Sequence, residues 1–270
     1  SAAADNLGLY VTGGDSNTVS DSWFTQAVSL AEGSDYNALS RLQIYGGGLA
    51  IDCNAGMGNC YGNSVSDSFI TSIGDGLAIS GSFLTTVSRS TITAGGSAGQ
   101  TLLIQYGGSN QIIDSYIYSA DGEGLYISEP NSVVGSTIIT DGVGYPALAL
   151  ITASSTTVTG SFIRSTDGDG VMIDNQSNYN VISLSSMTAN APGRYALYIT
   201  LSSSNSVLNS YVQGSSASLV SASTGTQLRG DELVSTGVNG VALALEGGNV
   251  NLTIATSTLR ASATGRGLSL

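Results

Sequence analysis

The chain has 270 residues and a formal net charge of −12, set by seven arginines against 19 acids, with no lysine and no histidine. That balance excludes nucleic acid and anionic membrane surfaces as partners on electrostatic grounds, and no apolar run is long enough to span a bilayer. Only 10% of residues are charged while 41% are hydrophobic, so the chain has ample material for a core.

In chain order the first predicted element is a block of the form small residue, aliphatic, any residue, aliphatic. It begins at Gly8, Ala27, Gly48, Gly76, Thr101, Gly124, Ala147, Gly170, Ala196, Ala217, Gly240 and Gly267, at intervals of 19 to 28 residues. Each period holds a second block: Asn or Thr, one residue, aliphatic, two residues, Ser, one residue, aliphatic. Asn63 to Ile70, Asn110 to Ile117, Asn131 to Ile138 and Thr156 to Ile163 show it. These runs are short, alternating, rich in Val, Ile, Thr and aromatics, and bounded by Gly, Ser, Asn and Asp, which is strand chemistry. No stretch carries a helical period. Strands that recur once per period, joined by turns too short for a helix, stack on their own copies in parallel. The predicted fold is all-β, a β-solenoid of about 11–12 coils with about 23 residues per coil.

This pattern resembles the right-handed parallel β-helix superfamily, which includes pectate lyases, polygalacturonases, phage tailspikes and autotransporter passenger domains. The resemblance covers essentially the whole chain and implies one right-handed domain over residues 1–270. It is specific for fold and weak for function, because many activities share the scaffold. The sequence shows no amphipathic helix or charged cap at either end, and a bare terminal coil exposes its interior and its strand edges. Residues 1–270 are therefore expected to be a segment of a longer exported protein, or a unit that self-associates end to end.

In a parallel solenoid, reading down equivalent positions is reading a physical stack. An Asn/Thr column runs Asn17, Asn37, Asn63, Thr85, Asn110, Asn131, Thr156, Asn180, Asn205, Thr226. Asn tolerates left-handed backbone and bonds a neighbour's amide, so it is read as a turn-stabilising ladder. A serine column runs Ser22, Ser68, Ser90, Ser115, Ser136, Ser161, Ser185, Ser210, Ser257, broken by Leu42 and Asp231. With no histidine or lysine to activate them, these serines are structural rather than nucleophilic. A third column, Asp21, Arg41, Asp67, Arg89, Asp114, alternates in charge and is read as register control.

A fourth column carries aromatics on alternate coils: Trp23, Phe69, Tyr116, Phe162, Tyr211. If outward, these rings are spaced on the order of 10 Å. They are read as surface cladding first, and as a row for sugar faces or a partner protein second. The third position of the opening block, including Tyr10, Leu103, Tyr126, Met172, Tyr198 and Ala242, carries no charge; it is read equally as an outward contact stripe and as a sheet face covered by its own neighbouring side chains.

Cys53 and Cys60 bracket an enlarged turn, and a local disulfide there implies an oxidising compartment. Two cysteines without histidine make an incomplete zinc set. Acid–Gly turns place Asp121 near Glu123 and Asp167 near Asp169. They are tight-turn chemistry first and calcium ligands second, without the calcium-binding nonapeptide spacing. Arg229-Gly230-Asp231 matches an adhesive tripeptide but falls inside a strand block.

The lytic β-helix families use calcium-binding Asp with an Arg or Lys base, or paired Asp with a supporting His. This chain has neither Lys nor His, and its paired acids, Asp121 with Glu123 and Asp167 with Asp169, recur as turn elements. The expected role is non-catalytic and cofactor-free: an extracellular or cell-surface adhesin or rigid stalk whose partner is a cell-surface protein or glycan. The alternatives are a polysaccharide-binding or polysaccharide-cleaving β-helix, acting as a lyase or glycoside hydrolase if an enzyme, and a filament subunit.

Overall fold

The computed structural model describes residues 7–53, 58–96 and 99–270. The chain winds through three parallel sheets once per coil, giving a right-handed solenoid. The first sheet has 12 strands, from Leu7–Thr12 to Arg266–Ser269. The second has 11 three-residue strands, from Thr18–Ser20 to Thr253–Ala255, and the third has 11, from Trp23–Phe24 to Thr258–Arg260. A further two-stranded sheet pairs Cys60–Tyr61 with Ser82–Phe83.

Alternation decides which side chains go in. Leu77, Leu102 and Leu125 stack down the first sheet, Val87, Ile112 and Val133 down the second, and Ile92, Ile117 and Ile138 down the third, all 0% exposed. Each such side chain contributes about 1.5–3 kcal/mol by leaving water. The fold repeats because each inward residue meets its own counterpart one coil away.

The corner between the second and third sheets bends on one left-handed residue per coil. These are Asp21, Arg41, Asp67, Arg89, Asp114, Gly135, Gly160, Leu184, Asn209, Gly230 and Thr256, with φ from 46° to 70°. The alternating charges predicted from sequence therefore occupy a corner, and they form two separate forks. Arg41 donates from Nε and Nη2 to Asp21 at 2.6 and 2.7 Å, and Arg89 does the same to Asp67 at 2.7 and 2.8 Å. The Arg41 guanidinium holds the Asp21 carboxyl down at about 2. Both pairs are open to water, so salt screens them and each adds little to stability.

From Asn37 onward the Asn column is buried at the corner between the first and second sheets. The amide of Asn110 donates to Asn131 Oδ1 at 2.9 Å, Thr156 to Asn180 Oδ1 at 2.8 Å, and Asn180 to Asn205 Oδ1 at 2.9 Å. The left-handed residue is not the asparagine but the one before it. Ser16, Tyr36, Leu84, Ser109, Ser155, Tyr179 and Ser204 carry φ of 55° to 61°. The asparagine instead supplies the hydrogen bonds that the bent backbone lacks.

The serine column forms the predicted ladder. From Ser68 to Ser185 each amide donates to the next coil's hydroxyl, as Ser90 to Ser115 at 3.3 Å and Ser115 to Ser136 at 3.2 Å. Each hydroxyl donates to the carbonyl two residues earlier, as Ser115 to Ile113 at 2.9 Å.

One block is shifted from its predicted place. The first sheet pairs Ser218 with Leu243 and Leu219 with Ala244, so the eleventh block begins at Ala242 rather than Gly240. Ala242 is thereby fully buried, and Ala244 takes its place on the outer stripe. Gly240 belongs to the preceding turn.

Cys53 and Cys60 are joined by a disulfide and are 2% and 0% exposed. It closes the enlarged turn and positions Cys60–Tyr61 for pairing with Ser82–Phe83. Replacing Cys60 with Ser is expected to cost about 2 kcal/mol, the closure entropy of a short loop. Urea unfolding under oxidising conditions checks this; an unchanged midpoint would show that the bond does not hold the turn.

Candidate functional site

The outer face of the third sheet brings the aromatic row together. Trp23 pairs with Gln43, Gln43 with Phe69, and Phe69 with Thr91. The alternation continues through Tyr116, Thr137, Phe162, Ser186 and Tyr211 without a register shift. Trp23 is 70% exposed, and Phe69, Tyr116 and Phe162 are 38%, 39% and 39% exposed. Three rings at three successive positions thus sit in one repeated environment. Tyr211 is half-buried, and its hydroxyl meets Gln213 Oε1.

A second outward column runs beside the rings: Tyr45, Thr71, Thr93, Tyr118, Ile139, Arg164, Thr188, Gln213. At its head Tyr45 bridges the row, with ring centroids 6.2 Å from Trp23 and 5.7 Å from Phe69. At its centre lies a polar cluster. Tyr118 donates to Asp141 Oδ2 at 2.9 Å, Thr166 donates to Asp141 Oδ1 at 2.5 Å, and Arg164 Nη2 stands 3.8 Å from the same carboxylate. Arg164 Nε is buried without a hydrogen-bond partner. The Thr166 and Tyr118 hydroxyls hold the Asp141 carboxyl below its usual range, while the bond to Asp141 pushes the Tyr118 phenol up. At neutral pH the cluster is an ionised carboxylate, a neutral phenol and a guanidinium, arranged to exchange hydrogen bonds with hydroxyl groups.

Residues 101–259 match the family described as right-handed beta helix region. The chain belongs to the right-handed β-helix family. No curated protein matches it in sequence. Among solved structures, this β-helix is similar to the A-module of the mannuronan C-5 epimerase AlgE4 from Azotobacter vinelandii. That match has 11% identity and a TM-score of 0.65 over 95% of this chain and 88% of that one. The Streptococcus pneumoniae surface protein and adhesin PfbA matches at 9% identity and a TM-score of 0.61 over 96% and 90%. The receptor-binding domain of the Siphovirus 9NA tailspike matches at 12% identity and a TM-score of 0.59, over 89% of this chain and 51% of that one. At these identities the likeness is one of fold.

The other predicted sites on the β-helix lie elsewhere. The contact stripe follows the outer face of the first sheet. Tyr10 is 52% exposed, while Leu103, Tyr126, Met172 and Tyr198 are half-buried. Ala149 between Tyr126 and Met172 is wholly buried, so the stripe is interrupted. Of the turn acids, Glu123 accepts from Gln100 Nε2 at 3.4 Å and Asp169 accepts the Tyr195 amide at 2.8 Å. Burial pushes both carboxyls up. Asp121 is exposed and Asp167 half-buried, and no three His, Cys, Asp or Glu side chains gather as a metal site among the described residues. In the Arg-Gly-Asp tripeptide, Gly230 is a corner residue and Asp231 is 2% exposed, out of reach of a receptor. Among the described residues no helix is long and apolar enough to cross a membrane.

The structure also shows aromatics that the columns do not reveal. Tyr36, Tyr61, Phe83 and Tyr106 project on four consecutive coils near the first corner, with Tyr61 and Phe83 stacked at 5.5 Å and 21°. Cys60 of the disulfide is the residue before Tyr61 in the same short strand.

Proposed function

We propose that this chain is a non-catalytic, extracellular β-helix that holds glycan chains on the outer face of its third sheet, as a surface adhesin or tailspike-like rod. The observation that carries the reading is the straight aromatic row with a polar column alongside it. Sugar rings offer an apolar face and a rim of hydroxyls, and stacked aromatics flanked by fixed hydrogen-bonding groups match both. Asp141, Tyr118 and Arg164 supply acceptors and donors at mid-row. The Asp141 carboxyl is held down and the Tyr118 phenol is pushed up, so one accepts and the other keeps its proton at neutral pH, which suits hydrogen bonding to sugar hydroxyls. The disulfide supports an oxidising location. The fold's appearance in an adhesin and a tailspike is consistent with such a role.

Affinity electrophoresis against a panel of neutral and acidic polysaccharides tests the reading. The double variant Tyr116→Ala/Phe162→Ala is expected to weaken retention at least about tenfold. Its melting temperature should stay close to that of the parent, because both rings are partly exposed. Retention equal to that of the parent would refute the site. Release of unsaturated or reducing sugars by the parent would refute the non-catalytic reading.

A further inference from the structure

The third-sheet row has a period, and the period points to a class of glycan. We infer that the ligand is a linear, neutral, β-1,4-linked polysaccharide in an extended two-fold conformation, lying parallel to the rod axis. This deepens the glycan-binding reading and rests on it.

Every strand of the third sheet pairs in step with the next across the row, without a bulge. Trp23, Phe69, Tyr116, Phe162 and Tyr211 therefore stand two strand steps apart, about 10 Å each, along a line of about 40 Å. Between them stand Gln43, Thr91, Thr137 and Ser186, all shorter and all polar. The surface thus alternates ring, polar, ring, polar at one strand step per change.

In an extended β-1,4-linked chain each sugar is flipped relative to its neighbour, and two sugars advance by nearly the distance between successive rings of this row. Every second sugar then presents the same face to an aromatic. The intervening sugar turns a different edge toward Thr91, Thr137 or Ser186, whose hydroxyls can bond it. A helical glycan turns its faces away from a straight row within a few units, so it meets only one or two rings. The near-equal exposure of Phe69, Tyr116 and Phe162 fits a repeated subsite.

Charge selects neutral chains. The protein carries −12 overall. The two arginines of this face each stand beside an acid, Arg164 with Asp141 at 3.8 Å and Arg260 with Glu232 at 3.2 Å. A polyanion would meet net repulsion here, whereas sugar hydroxyls exchange bonds with both members of such pairs.

The test is calorimetry of the full chain with cello-, chito- and manno-oligosaccharides from disaccharide to octasaccharide, against laminari- and malto-oligosaccharides of equal length. The expected result is binding to at least one extended series, about tenfold or more above both helical series. Affinity should rise in steps when two sugars are added rather than one. Phe162→Ala should remove one such step, and Phe162→Tyr should keep it. Equal affinity for helical and extended series, or an even gain per sugar, overturns the two-fold inference while leaving glycan binding intact. Preference for a uronate polymer overturns the neutral assignment. Binding to no glycan overturns the underlying reading as well.

Discussion

Asn180→Ala is expected to lower the unfolding free energy by about 3–4 kcal/mol. Asn180 is 1% exposed, and its side chain completes two backbone groups that the corner leaves open. Its Oδ1 accepts the amide of Thr156 at 2.8 Å, and its Nδ2 donates to the carbonyl of Ala153 at 2.8 Å. A second donation from Nδ2 reaches Asn205 Oδ1 at 3.1 Å, continuing the ladder. Alanine leaves the Thr156 amide and the Ala153 carbonyl buried without these partners, and each orphaned group costs about 1–3 kcal/mol. The adjacent Tyr179 is the control. It is 65% exposed and left-handed at φ 60°, so Tyr179→Gly removes an aromatic from solvent and relieves backbone strain. Its effect should stay within about 1 kcal/mol of zero. Urea unfolding separates the two, with the midpoint moving for Asn180→Ala and the slope unchanged. A loss below about 1 kcal/mol for Asn180→Ala would show that the corner relaxes and finds other partners.

The stacking columns were legible in the sequence because each rests on one residue type at one offset. Asn110 over Asn131 and Ser115 over Ser136 repeat both identity and distance from the strand that follows. The outward row was legible for the same reason, since Tyr116 and Phe162 occupy the first position of their strands. Three things were hidden, each by a turn. At Gly240-Val241 a turn glycine beside an aliphatic imitates the opening block, and only pairing with Ser218 shows that Leu243 is the inward residue. The corner aromatics stand at changing distances from the Asn column: Tyr36 one residue before Asn37, Tyr61 two before Asn63, Tyr106 four before Asn110. Variable turn length erases their alignment in sequence, while the stacked coils restore it in space. The cluster at mid-row joins Tyr118 and Arg164 in strands to Asp141 and Thr166 in turns of two different coils. No single-column reading assembles it. The signal available was Arg164 itself, an arginine in an outward strand position that the coils before it fill with Tyr, Thr and Ile.

Asp231→Asn is expected to stabilise the protein by about 2–3 kcal/mol at pH 7 and above, and by nothing below about pH 4. Asp231 occupies a serine position in the ladder and is 2% exposed. Its Oδ1 accepts the Ser210 amide at 2.8 Å, as a serine hydroxyl would, but its Oδ2 is buried without a partner. In neighbouring coils the hydroxyl donates to the carbonyl two residues back, as Ser210 does to Leu208 at 3.0 Å. A carboxylate has no proton to give. Burial pushes the Asp231 carboxyl up to about 6, opposed by the bond from the Ser210 amide. The folded state therefore binds this proton more tightly than the unfolded chain, whose aspartate titrates near its ordinary value of about 3.9. Stability from the protonated form is complete below about pH 4 and is lost as pH rises through about 6. Asparagine keeps the acceptor, adds a donor and carries no charge, so its advantage should grow across that window and then stay level. Other acids, including the Asp21 and Asp67 pairs, titrate alike in both proteins and cancel in the difference. Unfolding free energies of the pair from pH 3.5 to 8 read it directly. A difference that does not change with pH would mean that Asp231 is ionised throughout and that its unpaired oxygen reaches water.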